Sequence, residues 1–155
     1  MSLGKKGKDM IHGSCFCGGV RFEITRAVQP FELCHCGRCR KASGSAFFAW
    51  LVVQREDFKL VQGQDLVKTF EAPLRESPPP YRTNFCGRCG SPVPNPFSDS
   101  PYVEVPAGLL DDDPQIRPDR HIFVDVKSPW FDIKDDLPQL AQAELRSLRK
   151  AQVQR

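Results

Sequence analysis

A chain of 155 residues, 40% of them apolar, has the size of one ordinary domain able to bury a core, and it shows no internal repeat. Fourteen prolines exclude long helices over most of that length, because each fixes φ and removes a backbone donor, so a β-rich, loop-rich fold is expected. The formal charge of +3 is too small to argue for a polyanion partner, and the longest apolar run, Ala46 to Val53, is too short to span a bilayer.

The opening residues 1–11 carry no charged, apolar and cleavable signal pattern; they are read as a flexible leader to a cytoplasmic domain over residues 12–138. Gly18 and Gly19 make a tight turn. After it, Val20, Phe22 and Ile24 alternate with Arg21, Glu23 and Thr25, the period of a half-buried strand. "FELC" (31–34) is extended, and "GRCRKASG" (37–44) is a loop or short helix ending near Gly44. "SAFFAWLVV" (45–53) is a largely buried strand. "FKLVQG" (58–63) and "LVKTFEA" (66–72) are further strands separated by a turn at Gly63, and "APLRESPPP" (72–80) is a loop, since consecutive prolines cannot join a ladder. "YRTNFC" (81–86) returns as a strand and "YVEVPAGLL" (102–110) alternates cleanly. "DDDPQIRPD" (111–119) is a turn-rich excursion and "HIFVDVK" (121–127) the last strand. Residues 139–155 form a helical tail, within the helix-forming run "LPQLAQAELRSLRKAQVQR" (137–155).

The seven cysteines are all clustered: Cys15 and Cys17; Cys34, Cys36 and Cys39; Cys86 and Cys89. In a reducing compartment such groups are metal ligands or redox thiols rather than a disulfide framework, and an odd number cannot all be bridged. An extended C-x-C places its Cα atoms about 6.6 Å apart on one face, near the limit for a disulfide but acceptable to zinc, which needs each sulfur only about 2.3 Å away. Seven then divides into four and three. Cys15, Cys17, Cys86 and Cys89 would make a closed structural zinc site clipping the start of the domain to a knuckle far along the chain. Cys34, Cys36 and Cys39 would hold a second, labile zinc with one position open. A lone redox C-x-x-C at Cys86 and Cys89, or a half-site completed by another chain, is the alternative for the first set. His35 as fourth ligand is the alternative for the second, though in an extended segment it points away from Cys34 and Cys36.

Three thiolates outweigh the charge of zinc and make it a poor generator of hydroxide. Its natural fourth ligand is another thiol, which loses its proton on binding and remains a nucleophile for a small electrophile such as an aldehyde. Arg38, Arg40 and Lys41 would then either grip the carboxylates of a small thiol such as glutathione or stand as solvated charges. His121 is either a general base or a hydrogen-bonded structural residue, and Trp130 a core residue or pocket wall. Asp111 to Asp113 are a solvated turn, and Ser43 and Ser45 cap backbone groups or touch a thiol peptide.

"GSCFCGGVRFEI" (13–24), "CHCGRCRKASGSAF" (34–47), "FCGRCGSPVP" (85–94), "GLLDDD" (108–113) and "HIFVDVKSPW" (121–130) together resemble the glutathione-dependent formaldehyde-activating enzyme family, whose domain also occurs in centromere protein V. The resemblance implies an all-β, Mss4-like fold with two zincs. Cys15, Cys17, Cys86 and Cys89 match the structural set and Cys34, Cys36 and Cys39 the catalytic set. It also implies a carbon–sulfur lyase, read in reverse as condensation of glutathione with formaldehyde. The partners expected are glutathione or a similar thiol and a small aldehyde, with no membrane. Nucleic acid ranks last. The alternative is a non-catalytic thiol carrier or a zinc-ribbon-like interaction module.

Overall fold

The computed structural model describes residues 10–71 and 81–154, so the proline-rich loop at 72–80 and most of the leader lie outside the described residues. Strands β1 (Ile11–Ser14), β2 (Arg21–Ile24) and β5 (Phe58–Gln62) form an antiparallel sheet in the order β1-β2-β5. Ile11, assigned from sequence to the leader, is instead the first, buried residue of that sheet, paired with Ile24. A five-stranded mixed sheet runs β10-β9-β3-β4-β8. It is built from β3 (Val28–Cys34), β4 (Phe48–Gln54), β8 (Tyr102–Pro106), β9 (Arg120–Ile122) and β10 (Gln139–Leu140). Strands β6 (Val67–Glu71) and β7 (Arg82–Cys86) make a hairpin-like pair.

The alternation at Val20, Phe22 and Ile24 has the expected outcome: all three are buried, in a core completed by Phe31, Leu51, Val53, Val103 and Val105. A smaller cluster joins Cys34, Cys39, Ile122 and Leu145, with Phe48 and Trp50 packed on it. Leu145 comes from α2 (Gln142–Val153), whose start is fastened by Glu144 accepting from the Ala141 amide at 2.8 Å and Asp125 accepting from Gln142 at 3.1 Å. Burial of that one leucine contributes about 2–3 kcal/mol and seats the helix over the end of β3.

Two further expectations need correction. The strand expected over 121–127 stops at Ile122, because Phe123 takes a left-handed φ of 57° and the chain turns through a short 3-10 segment, Val124–Val126. The helix expected across the tail begins only at Gln142; Gln139 and Leu140 pair in parallel with His121 and Ile122 instead. Tertiary pairing there overrides helix propensity.

Gly63 and Gly44 both have positive φ, 86° and 65°. A side chain at Gly63 would be driven into the Gly19 carbonyl, whereas one at Gly44 would meet nothing within 4 Å. Gly63→Ala should therefore cost about 3 kcal/mol or more in urea unfolding, and Gly44→Ala only about 1. Equal losses would contradict the close approach of the two turns.

Candidate metal and thiol site

The first thiol set is assembled by two interlocked turns. After β1, the Gly18 amide donates to the Cys15 carbonyl at 2.8 Å, with Gly18 at a φ of 71°, and the Val20 amide donates to Cys15 Sγ at 3.2 Å. After β7, the Gly90 amide donates to the Cys86 carbonyl at 2.8 Å. The Phe16 amide donates to Ser91 Oγ at 3.0 Å and locks one turn to the other. The sulfurs of Cys15, Cys17, Cys86 and Cys89 consequently all lie within 4.8 Å of one another. Cys15 to Cys17 is 3.5 Å and Cys17 to Cys86 is 3.9 Å. Zinc–sulfur bonds of about 2.3 Å make a tetrahedron with edges of about 3.8 Å, so these donors fit a closed four-thiolate ion.

The second set forms where β3 runs into α1 (Gly37–Ser43). Cys34 ends the strand, Cys36 caps the helix and accepts from the Cys39 amide at 3.4 Å, and Cys39 lies one turn on. Their sulfurs also fall within 4.8 Å of one another and could hold a metal ion through three ligands. Hydrogen bonds with Cys34 and Cys39, aided by the amides of Cys39 and Arg38, hold the Cys36 thiol far below the ordinary thiol range. Its proximity, together with Cys39 and burial, pushes Cys34 up.

His35 does not join it. The ring lies on the opposite side of β3, fully buried, and Nε2 is 2.8 Å from His121 Nδ1. His121 Nε2 reaches Asp135 at 3.0 Å, so His121 is a hydrogen-bonded structural residue. Burial and the adjacent His121 push His35 down to about 4, which keeps it neutral. Phe47 and Phe131 flank the pair. Phe131 takes the inward position, leaving Trp130 71% exposed, neither core nor pocket wall.

The basic residues beside the triplet are also placed differently. Arg40 turns inward and donates to the carbonyls of His35 (3.2 Å) and Val126 (3.5 Å) and to Ser128 Oγ (3.0 Å). Arg38 stacks over Tyr81 at 5.6 Å. Ser43 Oγ donates to the Cys39 carbonyl at 2.8 Å, a capping role. The Asp111 to Asp113 turn is pinned to Ser14, His12 and Arg117.

Cys39 opens on a cavity of about 790 Å³ whose walls include Tyr81, Trp50, Glu32, Arg82 and Arg149. Tyr81 Oη stands 4.0 Å from Cys39 Sγ, and burial with the neighbouring sulfurs pushes its hydroxyl up, so it remains a proton donor. None of these five was singled out from sequence. Glu32, an acidic residue inside the otherwise apolar "FELC", was the legible signal; Tyr81 had none.

A family model described as glutathione-dependent formaldehyde-activating enzyme matches residues 10–126. A Halomonas elongata protein named "Putative glutathione-dependent formaldehyde-activating enzyme" is 30% identical over 128 residues, covering 81% of this chain and 82% of its own. A crystal structure of a Rhodobacter sphaeroides protein superposes with a TM-score of 0.47 at 19% identity, over 69% of this chain and 91% of that one.

The hydrogen bonds of the half-buried Arg40 tie α1 to the 124–128 turn. Arg40→Ala should lower unfolding stability by about 2 kcal/mol, since it strands the Ser128 hydroxyl and the His35 carbonyl, while Arg38→Ala should stay within about 0.5 kcal/mol. Thermal unfolding of the two variants side by side checks this.

Proposed function

This chain belongs to the glutathione-dependent formaldehyde-activating enzyme family, and from that premise we propose a zinc-dependent carbon–sulfur lyase-like activity on adducts of glutathione, or a related thiol, with a small aldehyde such as formaldehyde. The observation that carries it is the gathering of three thiols, one of which, Cys39, lines a cavity large enough for a tripeptide, with no fourth His, Cys, Asp or Glu ligand grouped with them among the described residues. Cys34, Cys36 and Cys39 are the ligands of the catalytic zinc, which when bound supplies a soft acceptor that lowers the pKa of a substrate thiol in its open position. Cys15, Cys17, Cys86 and Cys89 hold the structural zinc and make the fold the zinc-stapled, Mss4-like one of the family. The working place is the cytoplasm, where both sets stay reduced.

In the condensing direction the substrate sulfur attacks the aldehyde carbon, the carbon–sulfur bond forms, and the carbonyl electron pair moves to oxygen. That oxygen takes up, through solvent, the proton given up by the substrate thiol. The Tyr81 hydroxyl, 4.0 Å from Cys39 Sγ and kept protonated by its buried surroundings, would donate a hydrogen bond to it as the charge develops. Arg82 and Arg149 on the cavity wall meet the substrate carboxylates, the role sequence had offered to Arg38, Arg40 and Lys41. Scission runs the same path backwards.

A carrier that holds glutathione without turning it over is the second reading. It is favoured by the burial of His35 and His121 on the far side of β3, which leaves the triplet without an imidazole base.

Cys39→Ser is expected to retain one zinc per chain and to lose the second together with adduct formation. Tyr81→Phe should keep both zincs and lower kcat about a hundredfold at little change in KM. Elemental analysis and the rate of adduct formation above the uncatalysed background measure these; a wild-type rate equal to background would move the assignment to the carrier.

A further inference from the structure

The cavity beside Cys39 contains a buried carboxyl group, Glu32, one of whose oxygens has no hydrogen-bond partner among the described residues. Glu32 and Cys34 are two residues apart on β3 and face the same side, so their Cα atoms are about 6.6 Å apart. Glu32 is only 3% exposed, and its Oε2 has no hydrogen-bond partner among the described residues. Arg149 Nη2 comes to 3.7 Å, beyond hydrogen-bond distance. Arg120, opposite Glu32 on β9, turns to Asp119 at 2.7 Å instead. A carboxylate held out of water is costly unless donors or a cation meet it, and a buried polar atom without a partner calls for an explanation. Two further groups fit a cation at this spot. Trp50, on β4 directly opposite Glu32, lines the same cavity with an aromatic side chain, and Glu104 adds a second carboxyl group to its wall.

We propose that Glu32 receives the ammonium group of the substrate, so that the thiol taken at Cys34, Cys36 and Cys39 is one carrying a free primary amine at the far end of a short peptide-like body. This deepens the functional assignment and rests on the triplet being a thiol site. The spacing of Glu32 from Cys34 makes it selective. In free cysteine the amine sits two carbons from sulfur, too near to reach Glu32 from the triplet, whereas a γ-linked glutamyl group extends its amine far enough. Arg82 and Arg149 on the same wall complement the carboxylates of such a zwitterion. If Glu32 instead served only to anchor Arg149, its removal would loosen α2 without changing which ligands are preferred.

The test is calorimetric titration of the zinc-loaded protein with S-methylglutathione and with its desamino counterpart, in which a glutaryl group replaces γ-glutamyl. The wild type should bind the amine-bearing ligand about tenfold tighter or more, as a desolvated charge-assisted contact requires. Glu32→Gln should abolish that preference and Glu32→Asp should keep part of it; should Glu32→Gln fail to fold, the wild type and Glu32→Asp still decide. Equal binding of the two ligands by the wild type, no detectable binding of either, or a preference that survives Glu32→Gln overturns the proposal. Because these ligands have no thiol, the result is independent of turnover. An amine preference without catalysed condensation would sink the lyase assignment alone, and catalysed condensation without the preference would sink this proposal alone.

Discussion

The two-residue period of β3 is the constraint on which the site depends. Glu32 and Cys34 leave one face of that strand, and Phe31, Leu33 and His35 leave the other. Hydrogen-bonded pairing carries the division outward. Trp50 and Arg120 stand opposite Glu32, and Phe48 and Ile122 stand opposite Cys34, so one side of the sheet gathers a thiol, a carboxylate and an aromatic wall. A register slip of one residue would exchange these for Leu33 and His35 and dismantle the cavity. The α2 helix then covers this face through Leu145, and Arg40 fixes α1 at the strand end, so the third thiol returns to the first two.

The four-thiol set is built differently. Its two turns lie in separate sheets, and backbone amides rather than bulky side chains shape them. A metal held there contributes to folding directly, by joining segments whose closure is otherwise paid in chain entropy. On the proposed reading, a closed tetrahedron of four sulfurs has no room for a substrate, whereas the three-sulfur set, with Cys39 on the cavity wall, does.

Local features were legible in the sequence. The C-x-C and C-x-x-C spacings, the alternation from Val20 to Ile24 and the glycine end of α1 each depend on a few neighbouring residues, and each has its structural counterpart. What depended on distant partners was not legible. Gln139 and Leu140 become a strand only because His121 and Ile122 are there to pair with. Arg40 reads as a solvated charge until Ser128 and the Val126 carbonyl are brought beside it. Trp130 lost the inward position to Phe131, a choice between adjacent aromatics that no spacing rule makes. Tyr81 follows a run of prolines and reaches Cys39 only through the placement of β7.

The two thiolate sites are proposed to differ in whether a position is open to a substrate sulfur. Cadmium-113 NMR of the cadmium-substituted protein, recorded before and after glutathione is added, separates them, because each resonance responds to the ligands on its ion. Two resonances are expected, one unmoved by glutathione and the other shifted, with the shifting one absent from Cys39→Ser. A single resonance, or two that both ignore glutathione, would contradict it.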